Sequence, residues 1–182
     1  MEKLNIGIIL GSTRQGRVSP QVGKWVKKIG QQQEDANYEI LDLADYDLPF
    51  LGTGTGQERG IIAWKTKLAS LDGFVFIVQE YNHSLTGALK NALDSAYEEW
   101  NDKAAGIVSY GSTGGARAAE HLRGILGELS VATVRANPTL SIFTDFTKSK
   151  VFQPADYHIN YVAEMLDQIR SWSRALKTVR KS

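Results

Sequence analysis

The strongest constraint on this chain is an alternation. Short apolar runs and longer amphipathic stretches follow one another five times along 182 residues. The runs are Leu4–Leu10 (LNIGIIL), Tyr38–Leu43 (YEILDL), Gly73–Gln79 (GFVFIVQ), Lys103–Tyr110 and a fifth within Ala132–Phe143, interrupted near Pro138. Most are continuously apolar, as expected of strands buried on both faces. Between them, apolar residues recur at helical spacing over Pro20–Gln33, about Ile61–Leu71, about Leu85–Ala96, the stretch ending near Leu129, and Asp156–Arg180. Each crossover is long enough to return the chain to the same end of a sheet, so the strands are parallel and helices cover both faces.

Five such units in a chain of this length fit an α/β, flavodoxin-like, five-stranded parallel sheet of order 2-1-3-4-5, in one domain spanning 1–182. That order sets the ends of strands one, three and four side by side. The loops after those strands are the chain's three polar, glycine-bearing turns: 11–19, 80–84 and 110–115. They therefore converge on one site.

The first of them, Leu10-Gly11-Ser12-Thr13-Arg14-Gln15-Gly16-Arg17-Val18-Ser19-Pro20, joins a buried strand to a helix. Ser12, Thr13 and Ser19 bring hydroxyls, Arg14 and Arg17 bring charge, and Gly16 permits a tight turn. With Ser19 as N-cap and Pro20 as first helical residue, the helix directs free N–H groups and its positive end into the loop. This is a cradle for one phosphate; the bland alternative is an ordinary polar turn. It is not a P-loop, because Arg17 and Val18 follow Gly16 where Lys and Ser or Thr are needed. Nor is it the dinucleotide fingerprint, which requires a middle glycine that is absent between Gly11 and Gly16.

Composition removes other classes. Net charge is +1, so no general field favours nucleic acid or an anionic membrane. There is no cysteine, and His83, His121 and His158 lie far apart, which excludes thiolate chemistry and an obvious metal site. No apolar stretch approaches membrane-spanning length and no leader pattern opens the chain, so a cytoplasmic location is expected. The glycines of 52–56 read as a mobile loop, and Trp25, Trp64, Trp100 and Trp172 as core or subunit contacts.

A ligand matching all three loops is a planar heterocycle with polar edges, joined by a polyol to a phosphate, which is the shape of FMN. GSTRQGRVSPQVGKWV (11–26), ADYDLPF (44–50), DGFVFIVQEYNHSLTGALKNALD (72–94) and YGSTGGARAAEHLR (110–123) together resemble the NADPH-dependent FMN reductase family, which includes quinone, azo-dye and chromate reductases. The most specific block runs E-Y-N-x-S into G-x-L-K-N-A-L-D. The resemblance implies that Ser12, Arg14 and Ser19 bind the FMN phosphate, with Thr13 and Gly16 in the same cradle. It implies that Glu80, Tyr81, Asn82 and Ser84 line the isoalloxazine ring, and that Ser109, Gly111, Ser112 and Gly114 flank its pyrimidine end. Arg17 is either a solvated charge or a contact to the 2′-phosphate of NADPH. His83 is either a loop hydrogen-bonder or a substrate contact near the open flavin face. No side chain is assigned as catalytic. Gln79 and Thr86 stand where family members usually carry proline, which leaves the second loop looser.

The expected chemistry is a two-step hydride relay from NADPH through FMN to a small acceptor, in a homodimer or homotetramer. The pocket walls are expected from 44–60 and 144–155. A flavodoxin-type electron carrier or a flavin-binding regulator is the alternative; the near-neutral charge disfavours a carrier. A phosphoacceptor receiver domain is excluded because Gln79-Glu80 and Gly11-Ser12 replace its acidic residues.

Overall fold

The computed structural model describes residues 2–55 and 58–180, so Gly56 of the glycine-rich segment lies outside the described residues. The elements are β1 (Leu4–Leu10), α1 (Ser19–Gly30), β2 (Ala36–Asp42), α2 (Arg59–Ala69), β3 (Gly73–Gln79) and α3 (Gly87–Asp94). They continue with β4 (Lys103–Gly111), α4 (Ala116–Glu128), β5 (Val131–Thr133), β6 (Thr139–Ser141) and α5 (Tyr157–Arg180). All sheet pairings are parallel and the order is β2-β1-β3-β4-β5, with β6 also on β4. The expected flavodoxin-like order is the observed one.

The fifth position is shared by two three-residue strands. β5 pairs with the start of β4 and β6 with its end. Pro138 lacks an N–H and breaks the ladder between them. The gap still follows β4: Val134 N donates to Ala105 O, Asn137 Nδ2 to Ile107 O, and Ser109 N to Pro138 O.

Alternation along the strands splits the core into two layers. Ile9, Phe74, Phe76 and Ile107 pack with Trp64, Leu68, Leu89, Trp100 and Leu122 under α2, α3 and α4. Ile8, Leu10, Val75, Ile77 and Val108 pack with Val22, Val26, Val162, Leu166 and Ile169 under α1 and α5. Trp64 and Trp100 are fully buried, edge to face at 5.9 Å, and their indole N–H groups donate to Ala92 O and Leu93 O. Trp25 packs on Phe152, whereas Trp172 is 46% exposed.

The edge opposite the strand carboxyl ends is tied down by charge. Asp72 accepts from Asn5 N, Lys177 Nζ and Arg180 Nη2, which pins the last turns of α5. Lys103 beside them is 3% exposed, donates to Leu68 O at 2.7 Å and lies over the Phe74 ring. Burial, and then the Arg180 charge, lower its pKa to about 8 from 10.5. Between those values the unfolded chain binds a proton that the folded chain does not, so stability rises with pH. Above pH 10 burial holds the Tyr38, Tyr46 and Tyr110 phenols protonated, and stability falls again. The urea midpoint of the protein is therefore expected to climb between pH 8 and 10, and that of Lys103→Met to stay flat over the same interval. Identical slopes for the two would contradict the buried ammonium.

Candidate active site

Three loops meet because three strand ends are in register. Leu10 pairs with Ile77, and Gln79 pairs with Tyr110. Beyond the strands, Gly11 N donates to Ile77 O and Glu80 N to Tyr110 O. A Cβ at Gly11 would lie 2.9 Å from Ile77 O, so only glycine permits this approach.

Between β1 and α1 the chain turns at Arg14–Arg17, where Arg17 N donates to Arg14 O, with Gly16 left-handed (φ 69°). The helix starts one residue earlier than the Ser-Pro signal predicts. Val18 is the N-cap, without a side-chain cap, and Pro20 lies in the first turn. Ser19 is thus helical rather than capping, and its hydroxyl is fully buried with no hydrogen bond. The Tyr110 phenol interacts with it, but not at hydrogen-bonding geometry. The N–H groups of Ser12, Thr13 and Arg14 have no carbonyl partner among the described residues. An orphaned hydroxyl, unpaired amides and a helix start form a cradle that fits a phosphate tail.

The second loop is a tight hairpin. Tyr81 and Ser84 exchange both backbone hydrogen bonds, and Asn82 (φ 47°) and His83 (φ 69°) are both left-handed, as in a type I′ turn. The residues replacing proline tether this loop rather than loosen it. Gln79 Nε2 and Thr86 Oγ1 both donate to Gly11 O, at 2.9 and 2.5 Å, and Thr86 also caps α3 by accepting from Leu89 N. Two side-chain bonds thus supply what the rings would have fixed sterically.

The third loop ends β4 and begins α4 through Gly114 (φ 69°) and Gly115 (φ 73°). A Cβ on Gly115 would meet Tyr110 N at 2.7 Å, so a side chain there would block the turn. Ser109 is fully buried and donates to Gly114 O at 2.8 Å.

These loops enclose a cavity of about 470 Å³, together with Ile142 after β6 and Phe146, Thr147, Lys148 and Lys150 of 144–155. From the expected residues it gathers Arg14, Arg17, Glu80, Tyr81, Gly111 and Ser112, and it adds Val18, Gln79 and Tyr110. Arg14 lies over the Tyr81 ring, 5.6 Å from its centroid, linking the first and second loops. Arg17 pairs with Asp42 at the end of β2. Burial above all pushes the Tyr110 phenol up, so it remains a hydrogen-bond donor at neutral pH. The floor of the cavity is aromatic, with Tyr110 and Phe146 ring centroids 5.8 Å apart.

Other expected residues face elsewhere. Thr13 lines a separate hollow with Leu43, Tyr46, Leu48 and Phe50, so 44–60 walls that hollow rather than the main cavity. Ser84 Oγ meets His121 Nδ1 at 3.0 Å and borders a broad surface depression between α3 and α4. That depression lacks the convergence of strand ends. Ser12, Ser19 and Ser109 are buried within the loops, Gly16 and Gly114 turn them through left-handed backbone, and Asn82 forms the hairpin turn.

One organising residue has no signal in the sequence pattern. Arg117, in the first turn of α4, donates from its backbone N and Nε to the Glu80 carboxylate, at 3.2 and 2.7 Å. Its Nη2 donates to Thr113 Oγ1 at 2.8 Å, and its Nη1 meets His83 Nε2 at 3.0 Å. Glu80, with a side chain only 6% exposed, is thereby bound to the third loop, and His83 is held against Arg117. Arg117→Ala strands a buried carboxylate, so a loss of about 1–3 kcal/mol is expected, together with faster amide exchange at Tyr81 and Ser84. Wild-type exchange there would contradict the clamp.

Residues 4–145 match the NADPH-dependent FMN reductase family. The chain is 32% identical over 179 residues to an NAD(P)H-dependent FMN reductase of Schizosaccharomyces pombe, covering 94% of this chain and 90% of that protein. It is 35% identical to a quinone reductase of Escherichia coli over 69% of this chain and 70% of that one. In three dimensions it resembles FerB, a flavoenzyme NAD(P)H:(acceptor) oxidoreductase from Paracoccus denitrificans, with a TM-score of 0.76 at 18% identity, covering 92% and 98% of the two chains. With the motif blocks, the sheet order and the three-loop cavity in place, the chain belongs to the NADPH-dependent FMN reductase family.

Proposed function

We propose that this chain holds FMN in the three-loop cavity and passes hydride from NADPH to a small acceptor of quinone, azo or chromate type, or to free flavin. Donor and acceptor occupy the same place in turn. The observation that carries this reading is an aromatic, glycine-edged slot walled by Arg14 and Arg17 of the first loop, with the unpaired amides of 12–14 and the start of α1 next to that wall in the chain. FMN, when bound, supplies a centre that accepts and returns a hydride.

The protein's part is binding, orientation and charge. Arg14, the Ser19 hydroxyl and the unpaired amides of 12–14 hold the phosphate. Tyr81, Gly111 and Ser112 edge the ring, while Ile142 and Phe146 exclude water beside it. The start of α4 takes the Glu80 carboxylate on its Arg117 N–H, which fixes the third loop so that Gly111 and Ser112 stand at the cavity edge where the pyrimidine end would lie. The Tyr110 phenol, held neutral by burial, offers a hydrogen bond rather than a transferable proton. His83, tied to Arg117, serves the second loop rather than the acceptor.

Two copies or four complete the assembly in this reading, and the protein works in the cytoplasm. No helix among the described residues is long and apolar enough to cross a membrane, and no described cluster of His, Asp or Glu could hold a metal. A carrier role is disfavoured by the net charge of +1, since carriers dock basic partners through an acidic face.

Anaerobic mixing with NADPH is expected to bleach the bound flavin near 450 nm within seconds, with colour returning on addition of quinone. A flavin that binds yet stays oxidised for minutes would leave only the carrier reading. Arg14→Ala removes a charge-assisted contact of about 1.5–3 kcal/mol. Its FMN dissociation constant is expected to rise at least tenfold while that of riboflavin is unchanged, both read by flavin fluorescence.

A further inference from the structure

The segment 144–155 is a built tongue. Its two feet meet on one buried carboxylate: Asp145 accepts from Ser141 N at 2.8 Å and Ala155 N at 3.2 Å, with His158 Nε2 3.2 Å away. Phe146 and Phe152 form an antiparallel bridge with rings 5.1 Å apart, and Phe152 meets Trp25 of α1 edge-on at 5.2 Å. At the tip, Thr147 N donates to Val151 O and Lys150 N to Thr147 O, each at 2.8 Å, and Lys150 is left-handed (φ 63°). Gln21 of α1 grips the same tip twice: its Nε2 donates to Lys150 O at 3.0 Å, and its Oε1 accepts from Phe152 N at 2.9 Å. The backbone carrying Lys148 and Lys150 is therefore fixed at the cavity mouth before any ligand arrives.

The charges around that mouth do not balance. Four cations line the cavity, Arg14 and Arg17 from one wall, Lys148 and Lys150 from the tongue. Arg17 is neutralised by Asp42, and Glu80, the one carboxylate in the lining, belongs to Arg117. Among the described residues, neither Lys148 nor Lys150 has an ion-pair partner. In a chain of net charge +1 this is a local concentration, not general basicity. Arg14, Lys148 and Lys150 are solvent-exposed, and unpaired cations lining one concave site raise the local concentration of anions there. Two ammonium groups suit a phosphate monoester, which carries close to two negative charges at neutral pH, better than a carboxylate with one.

We propose that Lys148 and Lys150 form a phosphomonoester subsite at the mouth of the cavity, facing the Arg14 wall. It rests on the flavoenzyme reading above, which offers two sources of that group: the tail of FMN and the 2′-phosphate of NADPH.

The test compares wild type with Lys148→Gln, Lys150→Gln and the double variant. Glutamine removes the charge and stays polar and flexible, and the tongue's bonds at Lys150 are made by its backbone, so the tip is retained. FMN and riboflavin are titrated by flavin fluorescence, and NADP+ and NAD+ by calorimetry on both flavin-loaded and apo protein. The double variant is expected to lose at least tenfold in affinity for the phosphorylated member of one pair, less than twofold for its unphosphorylated counterpart, and part of the salt dependence. A loss for FMN alone assigns the subsite to the flavin tail; a loss for NADP+ alone assigns it to the dinucleotide. Affinities within twofold for all four ligands overturn the subsite, as do equal losses for phosphorylated and unphosphorylated partners. Either result leaves the flavoenzyme reading intact if wild type binds FMN. If wild type binds no flavin, that reading falls, and the NADP+ and NAD+ arm on apo protein still decides the subsite.

Discussion

Everything at the site depends on β1, β3 and β4 ending flush on one edge of a parallel sheet. The pairings Leu10 with Ile77 and Gln79 with Tyr110 fix that edge, and the bonds from Gly11 N and Glu80 N extend it one residue into the loops. A slip in a strand buried on both faces would exchange Ile8 and Leu10 with Ile9 between two different helix layers, so the register is strongly specified. Core packing thus places three loops that the loops themselves could not place.

Once placed, they are fastened to one another by few, identifiable bonds. The Gly11 carbonyl receives both Gln79 and Thr86; Arg14 lies over Tyr81; Arg117 joins Glu80, Thr113 and His83. The local backbone is costly in the same places. Asn82 and His83 are left-handed without being glycine, and Ser19 and Gln79 keep buried polar atoms unpaired. Unsatisfied groups beside a cavity are what a binding site retains for its ligand.

The sheet was legible in the sequence because fully buried parallel strands are continuous apolar runs. Gly73–Gln79 matches its strand residue for residue, and the break at Pro138 falls where the missing N–H demands it. Helix starts were less legible: the Ser19-Pro20 pair imitates a cap, but the Arg14–Arg17 turn brings the chain into helix at Ser19 itself. The roles of Gln79, Thr86 and Arg117 could not be read locally, because each acts on a residue 37 to 75 positions away. The sequence predicts the tongue as a wall, yet its rigidity depends on Gln21, which reaches 129 and 131 positions along the chain. Contacts of that kind leave no periodicity to detect.

The central claim is that one cavity at the strand carboxyl ends receives the flavin. Backbone amide NMR of the protein with and without FMN tests it most directly. The account predicts shifts concentrated at Ser12–Ser19, Gln79–Tyr81 and Gly111–Gly114, with the Asp72–Lys103 edge and the depression between α3 and α4 unmoved. Shifts centred on that depression, or spread evenly over the chain, would contradict it.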